Sequence, residues 1–159
     1  MEIREAGRSD IHVLASLIRD SFRDVAERFD LTLENCPTHP SFCTDAWVEK
    51  DMDKGVRYFL LELEDRPCGC VAIERAGDEV CYLERLAVLP SCRRRGYGEV
   101  LVRKVEEEAK AVGALRLEIG IISTQRDLRD WYAERGFGEK GRKNFEHLPF
   151  EVTFMALEI

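Results

Sequence analysis

The densest group of chemically active residues in this chain is the segment Arg93-Arg94-Arg95-Gly96-Tyr97-Gly98. It separates a strand-like run, residues 82–90, from a helix-like run, residues 99–112. Free backbone N–H groups and the positive end of a helix dipole would converge at such a junction and bind an anion. Gly96 and Gly98 would let the main chain approach a phosphate closely, because they carry no Cβ. The arginine charges suit a pyrophosphate, so we favour an anion site over a solvated basic turn.

Glu84 is a candidate general base in the strand that leads to this segment. Strand alternation predicts that Glu84 shares a face with Tyr82, Leu86 and Val88. A carboxylate among apolar neighbours should have a raised pKa, which suits a base working near neutral pH. The alternative is an ordinary salt bridge between Glu84 and a nearby arginine.

A second group of reactive residue types lies in the loop 35–43, which contains Cys36, His39 and Cys43. These three side chains could be read as metal ligands. Their spacing matches no standard zinc pattern, and a fourth ligand is not evident. We therefore favour an ordered loop over a metal site.

The elements that must position these groups follow from the hydrophobic periodicity. The first half predicts a short strand over 2–6, an amphipathic helix capped by Ser9 or Asp10, a loop over 31–42 and a short helix over 44–53. The runs 56–64, 67–76 and 79–89 then indicate an antiparallel meander. Within the second run, Cys68 and Cys70 have strand spacing, so we expect them to face the same side and to pack as small hydrophobes.

The second half alternates between helical and strand periods. The helix after the arginine segment ends at Gly113, a strand alternates over 115–121, and a further helix precedes Gly136. Two terminal strands are predicted near 137–145 and 150–158. The strand–helix–strand unit over 80–121 implies one parallel pair inside an otherwise antiparallel sheet.

Composition limits the class of protein. At 159 residues, the chain is most simply one domain over 1–159 with a full core. A hydrophobic content of 45% and a charged content of 35% are typical of a soluble globule. The net charge of −7 argues against nucleic acid as the main partner and favours a cationic acceptor such as an amine. No signal peptide or membrane-spanning run is recognised, so we expect a cytoplasmic location with reduced cysteines.

Three segments resemble one known family. The pattern Arg93-x-x-Gly96-x-Gly98, preceded by Leu86-Ala87-Val88 and Pro90, resembles the acetyl-CoA pyrophosphate loop of the GNAT N-acetyltransferases. The run Trp131-Tyr132-Ala133-Glu134-Arg135-Gly136-Phe137 is similar to the aromatic-Tyr-x-x-x-Gly-Phe motif of that family. The opening Ile3-Arg4-x-Ala6, followed by Asp10, is similar to its first strand and helix entry. The resemblance spans essentially the whole chain but does not identify the acceptor.

The resemblance implies a fold and a cofactor site. The fold is α/β, a mostly antiparallel twisted sheet with one splayed parallel strand pair and about four flanking helices. Acetyl-CoA would bind as co-substrate without a metal, with its pantetheine arm in the gap between the splayed strands. The residues that would contact it are Leu86, Ala87, Val88, Arg93, Arg94, Arg95, Gly96, Tyr97, Gly98, Glu99, Gln125 and Tyr132. Two of them depart from the family pattern, since Gln125 stands where many relatives carry asparagine and Arg94 where glycine is common.

The resemblance also implies catalytic roles. Tyr132 would sit beside the cofactor sulfur and protonate the departing thiolate. The alternative is that Tyr132 is a core aromatic residue that packs with Trp131 and Phe137. The backbone N–H of Val88 would stabilise the carbonyl oxygen, and either Glu84 or ordered water would act as base. In the related fold, the 35–43 loop walls the acceptor site, so we expect His39 and Phe42 to shape the acceptor pocket.

The function expected from these observations is direct acetyl transfer from acetyl-CoA to a primary amine of a small molecule or peptide, in a ternary complex. One alternative is a non-catalytic acyl-CoA-binding module of the same fold. Another is a thiol–metal or redox protein built on Cys36, His39 and Cys43. No membrane partner is expected, and the sequence leaves a homodimer open.

Overall fold

In a computed structural model that describes residues 1–159, seven strands form one sheet. The strands are β1 (Glu2–Glu5), β2 (Arg57–Leu63), β3 (Arg66–Arg75), β4 (Val80–Val88), β5 (Arg116–Ile122), β6 (Gly138–Asn144) and β7 (Glu151–Glu158). Their spatial order is β1-β2-β3-β4-β5-β7-β6. Only β4 and β5 are parallel neighbours, and every other pair is antiparallel. The fold class predicted from the sequence is confirmed.

Four α-helices flank the sheet: α1 (Ile11–Arg28), α2 (Asp45–Asp53), α3 (Tyr97–Ala111) and α4 (Arg126–Glu134). Helix α2 begins after Thr44, whose hydroxyl accepts a hydrogen bond from the Trp47 N–H at 3.3 Å. Helix α3 begins two residues before the predicted start, because Gly96 takes the N-cap position with a φ of 83°. None of the helices combines the length and the apolar character needed to cross a lipid bilayer.

The two faces of the sheet carry separate apolar clusters. On one face, α1 and α2 pack over β2, β3 and β4, around residues such as Leu14, Tyr58 and Leu60. On the other face, α3 packs against β3, β4 and β5, around Leu101 and Leu117, and the buried Tyr132 of α4 joins the same cluster. We call these the α1/α2 face and the α3/α4 face.

The expectation that Cys68 and Cys70 face the same side is wrong. Cys68 belongs to the cluster on the α3/α4 face, and Cys70 belongs to the cluster on the α1/α2 face. The register between β2 and β3 shifts between Leu61 and Glu62, so regular alternation fails at this point. Both thiols are nevertheless buried, as predicted for small hydrophobes.

A bulge in β4 changes the face on which the residues after Glu84 lie. Ala72 pairs with Glu84 and Cys70 pairs with Ala87, so Arg85 and Leu86 together oppose one residue of β3. Arg85 has a φ of 50°, as an inserted residue in a bulged strand requires. Glu84 therefore shares the α1/α2 face with Ala87, whereas Leu86 and Val88 pack on the opposite face. The predicted common face of Glu84, Leu86 and Val88 is wrong for this reason.

The parallel pair separates soon after it forms. Residues Val80 to Tyr82 of β4 pair with Arg116 to Glu118 of β5, and the register ends there. Beyond Tyr82, the edge of β4 that faces β5 has no strand partner. This split in the sheet is the structural feature around which the candidate site is built.

Candidate active site

A cavity of about 680 Å³ lies at the end of the split, between α1, the last residues of β4, the start of α3 and one side of α4. Its lining residues are Ser21, Phe22, Asp24, Val25, Arg28, Leu86, Ala87, Val88, Cys92, Arg93, Arg94, Gly96, Tyr97, Gly98, Glu99, Gln125, Asp127, Leu128, Trp131 and Arg135. Most of the arginine–glycine segment, the end of β4 and Gln125 therefore meet in one place.

The wall formed by β4 offers main-chain groups. Leu86, Ala87 and Val88 line the cavity beyond the last residue that pairs with β5. The main-chain groups on the side of these residues that faces β5, apart from the Val88 carbonyl that Arg93 binds, can bind an extended ligand in the way that an added strand would. The cavity is therefore suited to a linear molecule that carries amide groups.

The start of α3 offers a set of free donors. The N–H groups from Arg94 to Glu99 have no backbone acceptor, and the first one used in this region is the Val100 N–H, which donates to the Gly96 carbonyl. Gly96 and Arg94 both lie in the left-handed region, with φ of 83° and 64°. Arg94, which stands where glycine is common in the family that the sequence resembles, thus adopts a positive φ without being a glycine. Several N–H groups at a helix N-terminus form an anion site.

The three arginines of the segment do not share one role. The Arg93 guanidinium donates to the Val88 carbonyl at 3.0 Å, to the Ser21 carbonyl at 2.6 Å and to the Asp24 carboxylate at 2.7 Å. Arg93 lines the cavity, but its guanidinium is already bound by protein groups, a structural role that the sequence did not indicate. Arg94 lines the cavity without an ionic partner, whereas Arg95 lies outside the lining.

Gly98 lines the cavity and also has a packing role that the sequence did not indicate. A Cβ on Gly98 would come within 3.2 Å of the Trp131 ring, so this glycine permits close packing of α3 against α4. A Cβ on Gly96 would have nothing within 4 Å. Of the two glycines, Gly96 therefore keeps open the space in which a ligand can approach the main chain.

Helix α4 presents one side to the cavity, formed by Gln125, Leu128, Trp131 and Arg135. The Arg135 guanidinium lies 3.8 Å from the centre of the Trp131 ring. Tyr132 does not line the cavity. Its ring packs between Trp131 and Phe137, with ring centres 5.0 Å and 5.2 Å away, and its hydroxyl makes no hydrogen bond within the protein. Burial raises the pKa of the Tyr132 phenol, so this group keeps its proton at neutral pH.

Glu84 lies outside the cavity lining, two residues before Leu86. Burial, together with the neighbouring Glu74 carboxyl, raises the pKa of Glu84 to about 8. Glu84 forms no ion pair, since the adjacent Arg85 pairs with Asp51 at 3.4 Å instead. The raised pKa has the direction that the sequence analysis expected, and the alternative of a salt bridge is not observed. A carboxyl group of this kind can exchange a proton near neutral pH.

The two residues expected to shape an acceptor pocket are not part of the cavity wall. His39 is buried behind Phe22, with ring centres 5.9 Å apart, and its Nδ1 lies 2.7 Å from the Ser41 hydroxyl. Burial lowers the pKa of His39 to about 4, so the ring is neutral. Phe42 lines a separate shallow depression near Asp30 and Thr32, because the 3₁₀ turn Pro40–Phe42 places it there.

The possible metal ligands are not brought together. Cys36 is buried in a cluster with Ala26, Leu31 and Ile122, and Cys43 belongs to the core of the α1/α2 face. No group of three His, Cys, Asp or Glu side chains in the chain has a geometry that could hold a metal ion. The placement of these residues gives no support to a thiol–metal protein.

The sequence analysis missed the contribution of α1 to the site. Ser21, Asp24 and Arg28 occupy one polar stripe of this helix and line the cavity. Arg28 also pairs with Asp127 of α4 at 3.1 Å, which joins the two sides of the opening. The spacing of these polar residues, at three and four positions, was the signal that could have identified them.

Comparisons with known proteins agree with this architecture. The model of the Acetyltransferase (GNAT) family matches residues 15–137. The amino-acid acetyltransferase of Neisseria meningitidis serogroup A is 28% identical over 138 residues, which are 86% of this chain and 27% of the relative. The probable glucosamine 6-phosphate N-acetyltransferase 2 of Oryza sativa subsp. japonica is 36% identical over 77 residues, 46% of this chain and 45% of the relative. The chain spans about a quarter of the length of the first relative.

Solved structures show the same fold. The ribosomal-protein-alanine N-acetyltransferase from Brucella melitensis matches with a TM-score of 0.74 at 19% identity, over 100% of both chains. The N-acetylglutamate synthase from Neisseria gonorrhoeae, complexed with coenzyme A and N-acetyl-glutamate, matches with a TM-score of 0.74 at 23% identity, over 99% of this chain and 34% of that one. From the family match over residues 15–137 and the shared fold, the chain belongs to the GNAT acetyltransferase family.

Proposed function

We propose that the protein transfers an acetyl group from acetyl-CoA to a primary amine, by direct attack in a ternary complex. One observation carries the proposal: the unpaired edge of β4 and the free N–H groups before α3 open onto the same cavity. An extended amide-containing arm and a pyrophosphate are the two parts of coenzyme A that need these two kinds of donor.

The residues fit this ligand as follows. The N–H groups from Arg94 to Glu99 and the start of α3 would hold the pyrophosphate, with Arg94 adding charge. The main chain of Leu86 to Val88 would hold the pantetheine amides. Gln125 lines the same cavity and can donate or accept a hydrogen bond there. Arg93 supports this arrangement indirectly, because it fixes the end of β4 to α1.

Three protein groups would then move or stabilise charge. Glu84 would accept the proton of the attacking amine, and its pKa of about 8 allows both protonation states near neutral pH. The Val88 N–H would donate to the carbonyl oxygen as negative charge develops on it. Tyr132 lies directly behind Trp131 of the cavity wall, and its protonated phenol would give a proton to the departing thiolate. The thiolate gains the proton that Tyr132 loses, and solvent restores both groups after each turnover.

The acceptor is the least defined part of the proposal. The names of the two relatives, an amino-acid acetyltransferase and a glucosamine 6-phosphate N-acetyltransferase, support a small-molecule amine. The net charge of −7 favours a cation over an anion. We assign His39 an indirect role on this side of the site, because it supports the Phe22 ring that lines the cavity.

The rival proposal is an acyl-CoA-binding module without activity. The neutral-range pKa of Glu84, which has no ionic partner, favours an enzyme. The test is release of free thiol from acetyl-CoA with a panel of primary amines, in wild type and in Glu84→Gln. Amine-dependent thiol release that falls strongly in the variant would support the enzyme. Tight coenzyme A binding without thiol release from any amine would support the module.

A further inference from the structure

Glu84, Gly120 and Phe154 lie at one level of the sheet. Tyr82 of β4 pairs with Glu118 of β5, and Glu84 and Gly120 each follow two residues later, on the α1/α2 face. Gly120 in turn pairs with Phe154 of β7. A Cβ built on Gly120 would lie 3.6 Å from the Phe154 ring, so the ring is on this same face. The three residues therefore form a row across the split.

The Phe154 ring is open above its two cross-strand partners, while Phe145 contacts it edge-on with ring centres 6.3 Å apart. Gly120 of β5 and Gly141 of β6 are its two cross-strand partners, and neither has a side chain to cover the ring. Phe154 is 37% exposed, and Gly120 is exposed as well, so neither α1 nor α2 covers this level. A large aromatic ring beside a bare glycine backbone leaves room for a flat apolar group above Gly120.

An apolar cluster connects one wall of the cavity with the strand that carries Gly120. Ile122 follows Gly120 on the same face and is buried in a cluster with Ala26 and Leu31 of the α1 end. Val25 packs against that cluster and also lines the cavity. The cavity and the Gly120 level of β5 therefore lie on either side of one apolar cluster, and Phe154 is the cross-strand partner of Gly120.

We infer that Gly120 and Phe154 form an acceptor subsite for the aromatic or bulky apolar group of an arylalkylamine. Glu84 and Phe154 are separated by at least two strand spacings, roughly 10 Å. A short alkyl chain between nitrogen and ring therefore places the amine toward Glu84 and the ring over Gly120. This inference rests on the proposed function, because it takes the split beside Glu84 as the place of the reacting amine.

Binding of 2-phenylethylamine and of ethylamine to the coenzyme A-saturated protein tests the subsite. NMR titration measures both affinities without requiring turnover. Wild type should bind 2-phenylethylamine more tightly, and Phe154→Ala should weaken that binding by about tenfold while changing ethylamine little. Gly120→Ala should act in the same direction, because its Cβ would occupy the floor of the subsite and approach Val152 to 3.3 Å.

Leu115→Ala is the matched control, since Leu115 is 52% exposed and lies outside this row, and it should change neither affinity. If Phe154→Ala fails to fold, Phe154→Leu keeps apolar volume and should show a smaller loss for 2-phenylethylamine. Equal affinity of wild type for the two amines, or an unchanged preference in a folded Phe154→Ala protein, would overturn the inference. If the preference appears but no amine releases thiol, the subsite stands and the proposed catalysis fails.

Discussion

The Arg93 guanidinium donates to the Asp24 carboxylate at 2.7 Å, which ties the turn before α3 to the middle of α1. Burial alone would raise the pKa of Asp24, but the hydrogen bond and charge of Arg93 outweigh it, so the pKa falls below its usual value. The same guanidinium also bonds the carbonyls of Val88 and Ser21. One side chain thereby holds together three walls of the cavity.

Arg93→Ala should therefore lower stability more than it lowers ligand affinity. The loss of donors to two carbonyls and a carboxylate should reduce the free energy of unfolding by about 1–3 kcal/mol. Arg94→Ala is the matched variant, because Arg94 lines the cavity without an ionic partner. It should leave the melting temperature nearly unchanged and weaken coenzyme A by about tenfold, more at low salt. An Arg93→Ala protein with wild-type melting and greatly weakened coenzyme A would instead give Arg93 a direct ligand contact.

Comparing Gly96→Ala with a second glycine variant separates the effect of backbone strain from the effect of blocking the ligand site. The φ of 83° at Gly96 should make alanine cost about 1–2 kcal/mol, and the added Cβ would lie where a ligand approaches the main chain. Gly113→Ala is the control, because Gly113 has the same φ of 83° and equally open surroundings, at the far end of α3. Both variants should melt at similarly reduced temperatures, but only Gly96→Ala should lose affinity for coenzyme A in calorimetry. Equal coenzyme A affinities of the two variants would contradict the placement of the pyrophosphate at this turn.

Glu84 should control the dependence of rate on pH. Because the base must be deprotonated, the amine-transfer rate should rise as pH passes through about 8, and Glu84→Gln should abolish that limb. Glu74→Gln should shift the limb to lower pH, since the Glu74 carboxyl helps to raise the Glu84 pKa. Rate profiles of the three proteins check this. If the rising limb is identical in wild type and Glu74→Gln, the titrating group is not Glu84 but another group or the amine itself.

The raised pKa of Glu84 also predicts that the stability of the folded protein falls as pH rises. The Glu84 pKa in the folded protein, about 8, exceeds the ordinary value of 4.5, so the folded state binds the proton more tightly than the unfolded chain does. The associated stability is present below about pH 4.5 and is lost as pH rises through 8. Glu84→Gln cannot ionise, so its melting temperature should decline less than that of wild type between pH 5 and pH 9. Parallel melting curves across this range would contradict the raised pKa.

Tyr132→Phe tests the leaving-group acid. Its hydroxyl has no hydrogen-bond partner in the protein, so removal should leave the melting temperature and coenzyme A affinity close to wild type. If the phenol protonates the thiolate, kcat should fall by about 10²-fold. Since burial raises the phenol pKa, the wild-type profile should show no loss of rate from this group below about pH 10. A stable Phe variant with near wild-type kcat would leave solvent as the proton source.

The sequence alone determined most of the elements and pointed to the segment beside which the cavity lies. Apolar residues at helical spacing specified α1, alternation specified β5, and Gly96 before a helical run specified a turn with free N–H groups. These features depend on residues close together in the chain, since periodicity and glycine conformation are local properties. The strand–helix–strand unit also fixed the parallel pair, because a crossover of that length has few other solutions.

Only the tertiary structure decided which side chains face the site. The bulge at Arg85 turned Leu86 and Val88 away from the face of Glu84, and the pairing of β2 with β3 separated Cys68 from Cys70. Arg93 binds the Ser21 carbonyl and the Asp24 carboxylate of α1, about seventy residues earlier in the chain, so much of its charge is compensated within the protein. The reason is physical: the face of a bulged strand and the partner of a long charged side chain are set by contacts distant in sequence, and strand alternation or residue type does not encode them.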